Sequence, residues 1–146
     1  MISKNGGKDR RNAITVYLSD RAYLAVDLAS EALNVSKTQY ITNHLNIHDR
    51  YFKEAERLLR EKRFEEIRRD YKKRKQYKRR KVKRGWSQTI YLDDLSYVAV
   101  LVASTATKLT ITSYISKVLR VEKEFLELAD EMLEKDINII FERKKN

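Results

Sequence analysis

One stretch of this chain occurs twice. Residues 13–45 return at 87–119 with a constant offset of 74 and no gap, and 14 of the 33 aligned positions are identical. Thr15, Tyr17, Leu18, Asp20 and Tyr23 meet Thr89, Tyr91, Leu92, Asp94 and Tyr97; Thr38, Tyr40, Ile41 and Leu45 meet Thr112, Tyr114, Ile115 and Leu119. Downstream, Tyr51, Phe52, Ala55, Leu58 and Leu59 meet Phe125, Leu126, Ala129, Met132 and Leu133. Such agreement marks an internal duplication, so whatever one copy folds into the other must also fold into.

Each copy reads as a strand followed by helices. Residues 13–18 alternate, with Ile14, Val16 and Leu18 on one side and Ala13, Thr15 and Tyr17 on the other, which predicts a half-buried strand. Ser19-Asp20 can cap a helix that runs on Tyr23, Val26, Ala29 and Leu33 and ends at Asn34, a residue that tolerates the left-handed conformation. Ser36 with Gln39 forms a capping-box pattern opening a second helix with Tyr40, Ile41 and Leu45. Residues 97–103, Tyr-Val-Ala-Val-Leu-Val-Ala, are ambiguous alone, but their amphipathic counterpart at 23–29 makes both helices. From Asp49 to about Lys81 the pattern stays helical, with a stripe of Tyr51, Phe52, Ala55, Leu58 and Leu59 continuing to Phe64 and Ile67; Gly85 stops it.

A unit of one strand and two helices cannot bury its own core, and a lone strand has two unpaired edges. The two copies are therefore expected to pair their strands within the chain, although the connection of about 40 residues also permits pairing between chains. The predicted fold is mainly α with a short two-stranded antiparallel ribbon, built as two tandem repeats, each followed by an extra helix. The expected organisation is a basic arm (1–12), a first repeat (13–47), a charged helical linker (48–86), a second repeat (87–121), and a C-terminal helix and tail (122–146), of which 137–146 carries no assignment.

Charge narrows the function. Residues 68–84 hold 12 basic residues against the single acid Asp70, which equals the net charge of +11 of the whole chain. Such a run repels itself unless it meets a polyanion or stays solvated as a linker. With a pI of about 9.8, nucleic acid or an anionic surface is the expected partner. There is no cysteine, so disulfides and thiolate metal sites are excluded. No proline and three glycines suit a helical chain and leave no glycine-rich nucleotide loop. No leader peptide or membrane span is legible, and a cytoplasmic protein is expected. His44 and His48, four apart, lack a third ligand, and the second copy has Val118 and Glu122 there. No catalytic constellation stands out, and no enzyme, metal or cofactor is expected.

The unit resembles the ribbon-helix-helix (MetJ/Arc-type) DNA-binding family. The residues that carry the likeness are Ile14-Thr-Val-Tyr-Leu-Ser-Asp20, the helix to Leu33, the corner Asn34-Val35 and Ser36-Lys37-Thr38. In the second copy they are Ile90-Tyr-Leu-Asp-Asp94, Val98 to Ala106, Lys108-Leu109 and Thr110-Ile111-Thr112. Together these cover about half the chain. The resemblance implies that a two-stranded ribbon lies in the major groove of double-stranded DNA, and that tandem copies form a covalent pseudo-dimer, as in conjugative-plasmid accessory proteins that bind an origin of transfer. A repressor of its own operon would share that chemistry, and a relaxase is an implied partner of the accessory role.

By the alternation, the outward residues expected to meet base edges are Ala13, Thr15 and Tyr17 with Ser87, Thr89 and Tyr91. None is Arg, Lys, Asn or Gln, so DNA shape is expected to contribute much of the specificity. Phosphate contacts are expected at the second-helix starts, Ser36, Lys37, Thr38, Thr110 and Thr112, and from the basic residues flanking the strands, Arg10, Arg11, Lys81, Lys83 and Arg84. Ile111 in place of Lys37 makes the halves unequal and suits an imperfect palindrome. The third-helix stripes serve either the core or self-association, and Leu101 in place of Asp27 adds apolar surface on the side of self-association. Two other readings stand beside this one: an RNA binder using the basic run with Tyr71 and Tyr77 stacked on bases, and a protein–protein scaffold resembling antitoxins. Neutralising Lys72 to Lys75 is expected to weaken binding to all DNA sequences alike, lowering the slope of log affinity against log salt by about one unit for each phosphate interaction removed.

Overall fold

The computed structural model describes residues 12–74 and 86–136. In order these form β1 (Ala13–Leu18), α1 (Asp20–Leu33), α2 (Lys37–Asn43), α3 (Asp49–Arg60), α4 (Phe64–Arg74), β2 (Trp86–Tyr91), α5 (Asp94–Thr107), α6 (Ile111–Val118) and α7 (Lys123–Lys135). Among the described residues the chain is mainly helical with a two-stranded antiparallel sheet, as expected. The strands pair within the chain, in register from Ala13↔Tyr91 through Thr15↔Thr89 to Leu18↔Trp86.

Local chemistry explains most element boundaries. β1 alternates strictly between exposed and buried, and Ile14, Val16 and Leu18 enter the core with Ile90 and Leu92. Ser19 caps α1 by accepting the Ala22 N–H, and Asp93 does the same for α5 with Ser96 N–H. Three helices end with a left-handed residue: Asn34 after α1, Lys62 after α3 and Lys108 after α5. In each case the next N–H reaches back five residues: Val35 to Ser30 O, Arg63 to Leu58 O and Leu109 to Ser104 O, all at 3.0 Å. These bonds satisfy carbonyls that the last turn leaves without partners.

The core lies beneath the ribbon. Leu24, Val26, Tyr40 and Ile41 from the first half meet Val98, Val100, Tyr114 and Ile115 from the second. α3 packs on α5 and α7 packs on α1, so each outer helix covers a helix from the other half of the chain. An isolated bridge, Leu45↔Leu119, joins the ends of α2 and α6. Among the described residues no single helix is long and apolar enough to cross a membrane.

Several expectations are corrected. The helix expected from Asp49 to about Lys81 is two helices, broken at Glu61–Arg63 with Lys62 at φ 58°. The break lets Phe64 and Tyr71 turn back onto the core. α2 ends at Asn43, and Leu45 lies in the bridge rather than in the helix. Leu101 is 1% exposed and belongs to the core, so it supplies no interaction surface. The stripes on α3 and α7 face inward: Tyr51, Ala55, Leu58 and Ala129 are buried, with Phe52, Leu59, Phe125, Leu126, Met132 and Leu133 packed against them. The stripes thus contribute to the core, with Phe52, Leu59, Phe125, Leu126, Met132 and Leu133 still partly exposed. Gly85 and residues 137–146 lie outside the described residues.

A left-handed Lys carries a Cβ penalty that Gly lacks. Lys62→Gly and Lys108→Gly are each expected to raise unfolding stability by about 0.5–1 kcal/mol, read as a higher urea midpoint at unchanged m-value.

Candidate nucleic-acid interface

The outer face of the ribbon carries the three cross-strand pairs Ala13–Tyr91, Thr15–Thr89 and Tyr17–Ser87. These are the six residues expected from the alternation, here brought onto one surface. Tyr17 is 43% exposed, while Tyr91 is half-buried. The Leu92 N–H donates to Asn12 O at 3.3 Å, which sets the phase of the ladder. Counting from that bonded pair, the outer pairs are the non-hydrogen-bonded ones, where facing side chains come closest and the carbonyls turn outward.

Those outward carbonyls are met by the second helices. Thr112 Oγ1 donates to Thr15 O at 3.1 Å, and Thr38 Oγ1 donates to Thr89 O at 3.0 Å. Gln88 Nε2 donates to Thr38 Oγ1 at 3.0 Å, and Ser116 Oγ lies 3.5 Å from Tyr17 O. A two-stranded sheet has two exposed edges, and these hydroxyls cover both at the central pair. The ribbon is therefore anchored from its sides, with its outer face left open.

Both ends of the ribbon are locked by residues that sequence reasoning missed. Trp86 Nε1 donates to Asp20 Oδ1 at 2.7 Å, and its ring stacks on Tyr23 with centroids 4.8 Å apart. At the other end Asn12 is 0% exposed and donates at 2.9 Å to both Leu92 O and Asp94 Oδ1. Arg68 Nη2 donates back to Asn12 Oδ1 at 3.0 Å, and the guanidinium lies over the rings of Phe64 and Tyr97. Burial pushes the Tyr97 phenol pKa up, with the Arg68 charge opposing. A signal was present: Asn12 and Trp86 stand at the same 74-residue offset, as do Asp94 and Asp20.

The residues expected to hold phosphate fare differently. Arg10, Arg11, Lys81, Lys83 and Arg84 lie outside the described residues. Ser36 and Thr110 cap their helices, accepting from Gln39 N and Ser113 N. The Lys37 ammonium sits 3.3 Å from Asp27 Oδ1 and over the Tyr23 ring. Thr38 and Thr112 use their hydroxyl protons on the strand carbonyls, so these side chains do not have that proton to donate to a phosphate while the ribbon is anchored. Tyr71, from α4, accepts the Ile111 N–H at 3.0 Å and so occupies the first donor of α6. The Tyr71 side chain, considered for stacking on RNA bases, is partly buried there; Tyr77 lies outside the described residues. Beside α2 the matching corner is an open polar cavity of about 630 Å³, lined in part by Asp27, Glu31, Ser36, Lys37, Thr38 and Gln88.

His44 stacks on Tyr40 and bonds its carbonyl through Nδ1, while His48 caps α3 by accepting the Arg50 N–H. Burial pushes the Tyr40 phenol pKa up, and the hydroxyl lies between Glu122 N at 3.2 Å and Glu122 Oε1 at 3.4 Å. Among the described residues no group of three His, Cys, Asp or Glu side chains is placed to hold a metal. In comparisons with protein-family models, curated proteins and solved structures, nothing matches the chain.

Replacing Thr38 and Thr112 by the isosteric Val removes both edge hydrogen bonds while keeping the volume. Each substitution is expected to cost about 1 kcal/mol in chemical denaturation.

Proposed function

We propose that this chain is a sequence-specific double-stranded DNA-binding protein of the ribbon-helix-helix kind, with the β1–β2 ribbon entering the major groove. The observation that carries the reading is the ribbon itself: two strands of one chain, paired antiparallel, with Ala13, Thr15, Tyr17, Ser87, Thr89 and Tyr91 on one outer face. A two-stranded ribbon matches the width of the major groove, and its outward side chains then reach base edges. The net charge of +11 supports a polyanionic partner, and the basic run between the two halves supplies the sequence-independent part of the affinity.

In this reading the two copies are tandem repeats that form a covalent pseudo-dimer, each contributing one strand and one pair of edge-covering helices. The symmetry of the hydroxyl anchors between the two halves, Thr38 on Thr89 O and Thr112 on Thr15 O, supports it. The flanks are unequal: Lys37 pairs with Asp27 beside α2, whereas Ile111 and Tyr71 stand at the start of α6. An imperfect palindrome is the site such a molecule prefers. Between the two biological roles we favour an accessory factor at a plasmid origin of transfer, with a relaxase as partner, over a repressor of its own operon. That preference rests on the likeness of tandem copies in one chain to the accessory group.

Footprinting on plasmid-length DNA at physiological salt tests the reading. A single short protected site with two related halves is expected; uniform weak protection of any sequence sinks it. Thr15→Ala combined with Thr89→Ala is expected to lower the ratio of specific to non-specific affinity by about tenfold or more, while non-specific binding stays within about twofold.

A further inference from the structure

The outer face of the ribbon has an unusual chemistry for reading bases. Its six side chains are one methyl, two threonines, one serine and two phenols, with no amide and no charge. Guanine and adenine are read most selectively by the forked donors of Arg, Asn or Gln, and this face has none. The major groove presents one apolar group, the C5-methyl of thymine, and a threonine offers it a methyl with a hydroxyl beside it.

The register sharpens this match. Thr15 and Thr89 lie directly opposite each other at the centre of the face, in a non-hydrogen-bonded pair whose Cα atoms are typically about 4.5 Å apart. Their carbonyls are held from both sides by Thr112 and Thr38, which fixes the strands that carry them. Tyr17 and Tyr91 stand at diagonal corners, four residues apart in register. At about 3.4 Å per residue that is roughly 13–14 Å along the ribbon, close to four base-pair steps. The central pair is small and the two phenols stand at the ends of the face.

Resting on the DNA-binding reading above, we infer that the ribbon recognises thymine by its methyl group, with Thr15 and Thr89 each seating one C5-methyl at two positions related by the two-fold axis of the site. The ligand class is a thymine-containing major-groove step. The hydroxyls of these threonines and of the tyrosines add hydrogen bonds that several bases accept, so the methyl contact carries the discrimination.

The test starts from random-sequence duplex DNA enriched by binding to the full chain. The enriched duplex is then remade with deoxyuridine in place of each core thymidine in turn, which deletes the methyl and nothing else. Two symmetry-related positions are expected to lose about fourfold in affinity each, the scale of one buried methyl or methylene. The same uracil substitutions are expected to cost nothing further in a Thr15→Ser, Thr89→Ser double variant, which keeps both hydroxyls and lacks both methyls. Tolerance of uracil at every core position within twofold overturns the inference, and so does a serine variant that retains the full uracil penalty. If no sequence is enriched over the starting pool, the DNA-binding reading falls and this inference falls with it; an enriched sequence indifferent to uracil removes this inference alone.

Discussion

The pairing of β1 with β2 is the interaction on which the rest of the structure depends. Each strand buries one row of side chains and has no other strand to pair with among the described residues. Once Ile14 faces Ile90 and Thr15 faces Thr89, the inner rows close the top of a shared core. That core is made by both halves of the chain at once: α3 needs α5, and α7 needs α1. Each half buries its apolar side chains against the other, so neither has a complete core of its own.

The register also decides what the surface offers. Side chains alternate with period two along a strand, so a slip by one residue would exchange the buried and exposed rows. Three devices oppose such a slip. The Trp86–Asp20 bond closes one end, the Asn12–Asp94–Arg68 cluster closes the other, and the Thr38 and Thr112 hydroxyls clasp the middle. All of them link residues more than fifty positions apart. The result is an outer face of small hydroxylated and aromatic side chains held in one register.

The two halves share a plan yet differ at their corners. Beside α6, Tyr71 and Ile111 close the corner with a phenol and an aliphatic side chain. Beside α2, Asp27 and Lys37 leave a polar cavity. These differences trace to single replacements between the copies, Leu101 for Asp27 and Ile111 for Lys37, together with the packing of α4 on α5. Because the two corners are built from different residues of one chain, a replacement in one is not repeated in the other.

Much of this is legible in the sequence, because much of it is local. Alternation over 13–18 identifies the strand and its two faces, and the matching pattern 74 residues on extends it to all six outer residues. Ser19, Asn34, Ser36 and Thr110 act within a turn of their own helices, so their capping roles can be read from neighbouring residues. The break after α3 is not announced by Gly or Pro; Glu61-Lys62-Arg63 are ordinary helix formers. Its one trace is phase: Phe64 follows Leu58 by six residues, which in a continuous helix puts it about a third of a turn from Leu58 and about half a turn from Ala55. Tertiary structure alone decided where Thr38, Thr112, Tyr71, Asn12 and Arg68 spend their hydrogen bonds, and that Leu101 turns inward. The sequence by itself determined the strand faces and the capped helix starts, since periodicity and capping act over a few residues. Which polar groups remain for a partner depended on contacts between residues 40 to 100 positions apart, and only the folded chain brings those together.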